Sequence, residues 1–331
     1  MMAVEEKPHL SQYEKVKAIT EKLEQGIQDL FESENFKNYL KTLSKFHHYS
    51  LGNTILIAMQ KPDATLVAGY TSWQRNFERT VMKGAKSIKI LAPSPYKKKI
   101  EVNKVDPDTG KPLCNSDGSP VKEIQEISVP AFKVVNVFDV SQTEGKALPS
   151  IGVNELTGDV AQYDTMLAAL EQSCPVSITF EEIQGSAKGY FSSMENRIAV
   201  QKDMSQIQTI KTLIHEMAHQ KLHSSDEKLA RNAKEVEAEA VAYTVSQHFG
   251  VETSDYSFAY IAGWSKGKEL PELKASLDRI RTAANEMIGN IEDMFQAIQQ
   301  RKASVHKEPE IKKADPQIEG LRQKHKEREC L

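Results

Sequence analysis

The segment 205–223 places two histidines one helical turn apart on a helix whose start is visible in the sequence. Ser205 followed by Gln208 is a capping-box pattern (S-x-x-Q), and the apolar residues after it recur at helical spacing. Because four residues make just over one turn, His215 and His219 of the motif His-Glu-Met-Ala-His project from one face and can hold one metal ion. The segment is therefore predicted to be an amphipathic helix that carries two ligands of a metal site.

A second predicted helix, further along the chain, offers acidic side chains for the remaining ligand. Zinc takes three or four protein ligands, and a catalytic zinc leaves one position for water. On a helical wheel, Glu235 lies about 60° from the centre of the apolar stripe, whereas Glu237 and Glu239 lie about 100° away on opposite sides. We expect Glu235 to be the third ligand, Glu239 to steady a ligand histidine, and Glu237 to be solvated. His223, two turns after His215, is an alternative ligand.

Glu216 stands beside the two histidines, where its carboxylate can take a proton from metal-bound water. Bound zinc lowers the pKa of water to about 7 and polarises a scissile carbonyl, and the carboxylate can then pass the proton to the leaving amine. These residues predict a zinc-dependent metalloendopeptidase with Glu216 as catalytic base and Zn²⁺ as cofactor. Tyr190 and Tyr243 are the candidate oxyanion donors, because they lie close to the relevant elements in the sequence.

The net charge of −3 hides an uneven distribution of charged residues. Residues 31–100 contain twelve Lys or Arg and four Asp or Glu, a local charge of +8, so the remaining 261 residues must total −11. An excess of that size is the footprint of a surface that meets phosphates. Aromatic residues in the same segment add weakly to this indication, because single-stranded nucleic acid is held by cations and by rings on which bases stack. The segment predicts a nucleic-acid partner.

The length of 331 residues suits two domains. Helical patterns alternate irregularly with β-like runs such as 87–92 and 131–140, which predicts an α+β fold. The segment 143–152, with two glycines and a proline, is the best linker. We therefore expect an N-terminal domain over 1–145, a second domain over 150–300 with a long C-terminal helix, and a flexible charged tail over 301–331.

Several negative features set the expected compartment. No apolar run approaches the ~18 residues that a membrane-spanning helix needs, and the first ten residues lack the apolar core of a signal peptide. Three widely spaced cysteines without a CxxC argue against a disulfide framework and against a thiolate zinc site. We expect a cytoplasmic protein with no membrane partner.

Both halves of the chain resemble one family. The stretch Gly189–His223 and the pair Glu235-x-x-x-Glu239 are similar to gluzincin-type metallopeptidases, in particular to the peptidase-like domain of ArdC-like antirestriction proteins and more distantly to ImmA/IrrE peptidases. In the front half, Tyr49-Ser50-Leu51-Gly52-Asn53, Trp73 and Lys83-Gly84 resemble the N-terminal single-stranded-DNA-binding domain of the same family. The turn-rich insert around 100–130 departs from the family pattern.

The resemblance implies a protein of a mobile genetic element that binds single-stranded DNA and protects incoming DNA from restriction. It also implies a zincin-like C-terminal domain acting on an unidentified protein or peptide. Two alternatives stay open: a regulatory metalloprotease that cleaves a repressor, and a DNA-binding protein whose metal site is purely structural. The candidate DNA contacts in the basic segment are Tyr49, Asn53, Trp73, Arg75, Lys83 and Lys86.

Overall fold

The computed structural model describes residues 11–148, 160–224, 229–251, 253, 258 and 261–305. Helices and strands both contribute, largely in separate runs, so the predicted α+β fold is confirmed. Residues 149–152 of the predicted linker and residues 306–331 of the predicted tail lie outside the described residues. Within the described part of the chain, no helix has both the length and the apolar character needed to cross a bilayer.

Three helices open the chain: α1 (Gln12–Asp29), α2 (Ser33–Lys45) and α3 (Leu51–Gln60). The first begins at a complete capping box, in which the Glu14 amide donates to Ser11 Oγ and the Ser11 amide donates to the Glu14 carboxylate. The third ends at Gln60, because Pro62 disfavours helical backbone at Lys61, the residue before the proline.

The rest of the front half is built from antiparallel strands around α4 (Tyr70–Phe77). A three-stranded sheet has the order β1-β6-β3 and packs its apolar face against α3. The turn-rich insert forms the far end of a long hairpin, β4 with β5, and a short pair, β2 with β7, closes this half. The strands are β1 (Val67–Gly69), β2 (Arg79–Val81), β3 (Ile88–Pro93), β4 (Tyr96–Asn103), β5 (Lys122–Val129), β6 (Phe132–Asp139) and β7 (Thr143–Gly145).

The back half places a three-stranded sheet beside a group of helices. Strand β10 is central, parallel to β8 and antiparallel to the edge strand β9, which the sequence analysis did not predict. The elements of the back half are α5 (Val160–Ser173), β8 (Ser177–Glu181), β9 (Gly189–Ser192), β10 (Arg197–Gln201), α6 (Gln206–His223), α7 (Arg231–His248), α8 (Ile261–Ser265) and α9 (Leu270–Val305).

One large apolar core runs through both halves of the molecule. Side chains of α1, α2 and α3 are buried in the same cluster as those of α6, α7 and α9. Helix α6 packs beside α7, and α9 packs against α7 on another side. The two candidate ligand helices are thus fixed side by side, with α9 behind them. The division of the chain into domains at 145–150 stays a prediction.

Candidate metal centre

Helix α6 carries the two histidines and is buried along most of its length. Its first turn is capped by Ser205, whose Oγ accepts from the Gln208 amide at 3.3 Å. The Gln208 side chain does not return the bond, because it donates to Thr212 Oγ1 and accepts from Lys188 Nζ. The predicted helix is confirmed. Of the two hydrogen bonds of the predicted capping box, one is present.

The three predicted ligands come together at one point. The Nε2 atoms of His215 and His219 lie 3.1 Å apart, and Glu235 Oε2 lies 3.7 Å from the first and 3.4 Å from the second. All three atoms lie within 4.8 Å of one another. Two imidazole nitrogens and one carboxylate oxygen are a donor set that suits zinc and similar divalent ions. The residues present therefore fit a single divalent metal.

Both histidine rings turn their other nitrogen away from this point. His215 Nδ1 lies 3.4 Å from Glu239 Oε2, and His219 Nδ1 lies 3.3 Å from His223 Nδ1. Ligand histidines are generally held through this second nitrogen, which fixes the ring and its tautomer. Glu239 thus occupies the place expected of a steadying carboxylate. His223 faces the back of His219, so it is poorly placed to bind the same ion.

Glu237 is not solvated, and the prediction for this residue was wrong. Its side chain is 1 % exposed and accepts from Ser276 Oγ at 2.7 Å and from Arg279 Nε at 3.2 Å. Burial acts to raise the pKa of Glu237, but hydrogen bonds from His223, Arg279 and Ser276 hold that pKa below its usual range. The wheel for α7 alone misses this burial, because α9 covers that side of the helix.

Glu216 is 7 % exposed and borders a cavity of about 220 Å³ together with His215. Burial raises the pKa of its carboxyl, although the two histidines partly oppose the shift. The amide of Phe191 in β9 donates to the carboxylate. A carboxyl whose pKa is moved towards neutrality suits proton transfer.

The surrounding carboxylates also tune the ligands themselves. Burial acts to lower the pKa of His215, but Glu235, Glu239 and Glu216 outweigh it and raise that pKa to about 9. Hydrogen bonds from His215 and His219 hold the pKa of Glu235 well below its usual range. The centre is therefore electrostatically prepared to keep positive charge.

The cavity beside Glu216 is also bordered by Gln208 and by three residues that the sequence did not point to: Lys188, Lys211 and Thr212. Lys211 could have been found from its spacing, since it lies four residues before His215 on the same helix face. The candidate oxyanion donors do not border this cavity. Tyr243 is 2 % exposed in the core, and the Tyr190 hydroxyl is bonded to Glu181 and Arg197.

Strand β9 lies unusually close to α6 at Gly189. A Cβ on this residue would stand 2.7 Å from Thr212 Cγ2, 3.1 Å from Glu216 Cγ and 3.1 Å from the Ala199 carbonyl oxygen. Glycine is the residue that permits such an approach of strand to helix. Gly189 therefore sets how near β9 comes to Glu216.

Substituting Gly189→Ala is expected to displace β9 or the Glu216 side chain. Overpacking of this kind costs about 1–3 kcal/mol. We expect lower stability in urea unfolding with metal binding retained, because neither histidine is touched. The control is Gly289→Ala in α9, where an added Cβ meets nothing within 4 Å. This substitution should stabilise the protein by about 0.5–1 kcal/mol, because alanine favours helix over glycine. Equal effects of the two substitutions would contradict this role of Gly189.

Comparison with known proteins bears on the front half. Residues 11–138 match the family model described as the N-terminal domain of the anti-restriction factor ArdC. These residues are similar to that domain and are called the ArdC-type N-terminal domain below. The predicted resemblance is thereby confirmed for this part of the chain.

Other relatives are more distant from the chain. An uncharacterized protein of Bacillus anthracis is 26% identical over 304 residues, which cover 83% of this chain and 50% of that protein. The chain thus spans about half the length of the curated relative it matches. Crystal structures of the antirestriction protein ArdC from plasmid R388, metal-free and Mn(II)-bound, are 21% and 19% identical. Each of the two structural alignments covers 75% of this chain and 84% of the ArdC chain, and the TM-score is 0.42 in both cases.

Two of the predicted DNA contacts have structural roles in the ArdC-type N-terminal domain. Trp73 is fully buried, and its Nε1 donates to the Phe138 carbonyl at 2.8 Å, so its ring is not available to a base. Asn53 uses its amide to pair with both backbone groups of Leu91 at 2.9 Å, which ties α3 to β3. The assignment of Trp73 as a base-stacking ring is therefore wrong, whereas a DNA contact by Asn53, which is half-buried, stays a prediction.

The other four predicted contacts lie nearer the surface of this domain. Tyr49 is half-buried against Phe46. Arg75 is exposed on α4, and Lys83 and Lys86 are exposed around the tight turn after β2. Gly84 takes a φ of +85° in that turn, which favours glycine. Their role in DNA binding stays a prediction.

Proposed function

We propose that this chain protects DNA from restriction by binding single strands through its ArdC-type N-terminal domain, and that its metal centre hydrolyses peptide bonds. The match over residues 11–138 supports the first part. The convergence of two histidine nitrogens and the Glu235 oxygen beside Glu216 supports the second, and it is the observation on which the hydrolytic part rests.

The proposed chemistry needs each of these side chains in a distinct role. When bound, a divalent ion supplies Lewis-acid activation of a carbonyl oxygen and of water. Glu216 takes the proton of the attacking water and returns it to the leaving amine, which its burial and raised pKa favour. Glu239 holds the ring of His215, so that its Nε2 keeps facing Glu235.

A catalytic centre is favoured over a structural one. Structural zinc sites are closed by four protein ligands, whereas catalytic sites use three and leave a position open. Among the described residues, three ligand atoms converge, and a cavity of about 220 Å³ is bordered by one of the ligands, His215, and by Glu216. That cavity gives a substrate access to Glu216.

The exposed cations of the N-terminal domain support contact with phosphates. Arg75, Lys83 and Lys86 project from α4 and from the adjoining turn. Tyr70, at the start of α4, is 48 % exposed and offers a ring on which a base can stack, as Trp73 does not. We place the proposed DNA surface along these residues.

Reversing two charges, Lys83→Glu with Lys86→Glu, is expected to weaken binding to a single-stranded oligonucleotide. Loss of two phosphate contacts should also reduce the slope of log affinity against log salt by about 1.4. Fluorescence anisotropy across a salt series measures both quantities. The control, Lys17→Glu with Lys266→Glu, makes the same change of net charge at exposed positions outside the basic segment. An unchanged slope for the Lys83 and Lys86 variant would move the DNA surface elsewhere.

Protection is tested by conjugative transfer of an unmodified plasmid into a restricting recipient. We expect production of the chain to raise the yield of transconjugants in that recipient and to leave a non-restricting recipient unaffected. Equal yields in the restricting recipient, with and without the chain, would refute the protective function.

A further inference from the structure

A buried chain of polar side chains lies behind His219, and the proposed hydrolysis does not use it. His223 and Glu237 have side chains that are 5 % and 1 % exposed. Glu237 is anchored on α9 by Ser276 and Arg279. Burying a carboxylate costs free energy unless the carboxylate is paired and hydrogen-bonded. A carboxylate held in this way next to a candidate metal centre indicates a function.

Only one arrangement of protons connects these buried side chains to the triad of metal ligands, His215, His219 and Glu235. If His219 offers Nε2 to an ion, its Nδ1 carries the proton and donates to His223 Nδ1 at 3.3 Å. His223 must then carry its own proton on Nε2, which lies 3.4 Å from Glu237 Oε2. Glu237, which accepts from Ser276 and Arg279 as well, ends the chain. Every polar atom along it has a suitable partner in this order.

The two ligand histidines are therefore supported differently. His215 meets the carboxylate of Glu239 directly. On its Nδ1 side, His219 reaches a carboxylate through His223, and this carboxylate, Glu237, is held by α9 as well as by His223. The orientation of His219 thus depends on the packing of α9 against α7.

We propose that Glu237, acting through His223, is a positioning residue for His219, and that α9 thereby controls the affinity of the metal centre. This inference rests on the proposed metal centre. It makes His223 an outer partner of His219, and not a ligand. Substitutions of such outer partners lower metal affinity by about 10- to 100-fold.

The test compares Zn²⁺ affinity, measured by competition with a chelating dye, in the full chain and its variants. We expect Glu237→Gln and His223→Leu to bind Zn²⁺ about 10- to 100-fold more weakly than wild type. His223→Asn should recover most of the loss, because its side-chain oxygen can still accept from His219 Nδ1. Nitrogen-15 spectra of the Zn²⁺-loaded wild type should show His223 protonated on Nε2.

Glu292→Gln is the matched control. Glu292 accepts from His248 at 2.8 Å and also joins α9 to α7, but it does not lead to the triad. We expect it to lower thermal stability and leave Zn²⁺ affinity unchanged. If Glu237→Gln fails to fold, the comparison of His223→Leu with His223→Asn decides the matter.

The outcomes separate this inference from the proposed function. A wild type that binds no Zn²⁺ refutes the metal centre itself. A wild type that binds Zn²⁺, with variants at Glu237 and His223 that bind it equally well, overturns the positioning role alone. Equal weakening by Glu237→Gln and Glu292→Gln, or by His223→Leu and His223→Asn, also overturns it, since that result reports a general loss of structure.

Discussion

Replacing Glu216 by glutamine is expected to abolish hydrolysis while metal and DNA binding are retained. Glutamine has nearly the same shape, so the packing of this buried side chain survives. It cannot take a proton, and loss of a general base typically costs about 10²–10⁴-fold in rate. The carboxylate does not belong to the triad, so the ligands remain in place.

The measurement for Glu216→Gln is a mass-spectrometric comparison of new protein N-termini in host extract treated with wild type or variant. Wild type should generate termini that the variant does not. The control is Glu182→Gln, an exposed carboxylate beside strand β8, which should behave as wild type. Identical termini from wild type and Glu216→Gln would exclude this carboxylate as the catalytic base. That result would favour a purely structural metal site.

Replacing Asp139 by alanine is expected to destabilise the front half of the molecule strongly. The carboxylate is 1 % exposed and accepts from the amides of Thr65 at 2.7 Å, Leu66 at 3.1 Å and Ser141 at 2.9 Å. Alanine leaves these donors without their acceptor, and each unsatisfied buried group costs about 1–3 kcal/mol. We expect a loss of about 3–5 kcal/mol in the free energy of unfolding, measured in urea.

This contribution of Asp139 should depend on pH in a defined direction. Burial acts to raise the pKa of its carboxyl, but hydrogen bonds from Ser141, Thr65 and Leu66 hold that pKa below its usual range. A depressed pKa stabilises the fold above the unfolded value of about 3.9 and loses that effect as the pH falls through the folded value. The difference between wild type and Asp139→Ala should therefore shrink between pH 7 and pH 3. A difference that grows in acid would contradict this assignment.

The ligand helices could be predicted because their signals are local. Four-residue spacing alone puts His215 and His219 on one face, and the apolar stripe of α7 alone favours Glu235. The same reasoning misjudged Glu237, since its burial depends on α9, which is distant in the sequence. A wheel for one helix carries no information about which neighbours cover its other sides.

In the front half, the secondary structure could be predicted from the sequence, whereas the roles of individual side chains could not. Its helices and β-like runs follow from local periodicity. The structural roles of Asn53 and Trp73 could not be predicted from local periodicity. Both side chains bond to backbone carbonyls of strands that lie later in the sequence. Strand β9 is a short, partly exposed edge strand, and it gives no clear alternation of apolar and polar residues.

The central claim is that His215, His219 and Glu235 bind one divalent ion. Its most direct test is the ratio of metal to chain, measured by mass spectrometry after loading with Zn²⁺ or Mn²⁺ and removal of excess ion. We predict one ion per chain for wild type and none for the double variant His215→Ala with His219→Ala, with both proteins folded by circular dichroism. A wild type without metal, or a double variant that still holds one ion per chain, would contradict the account.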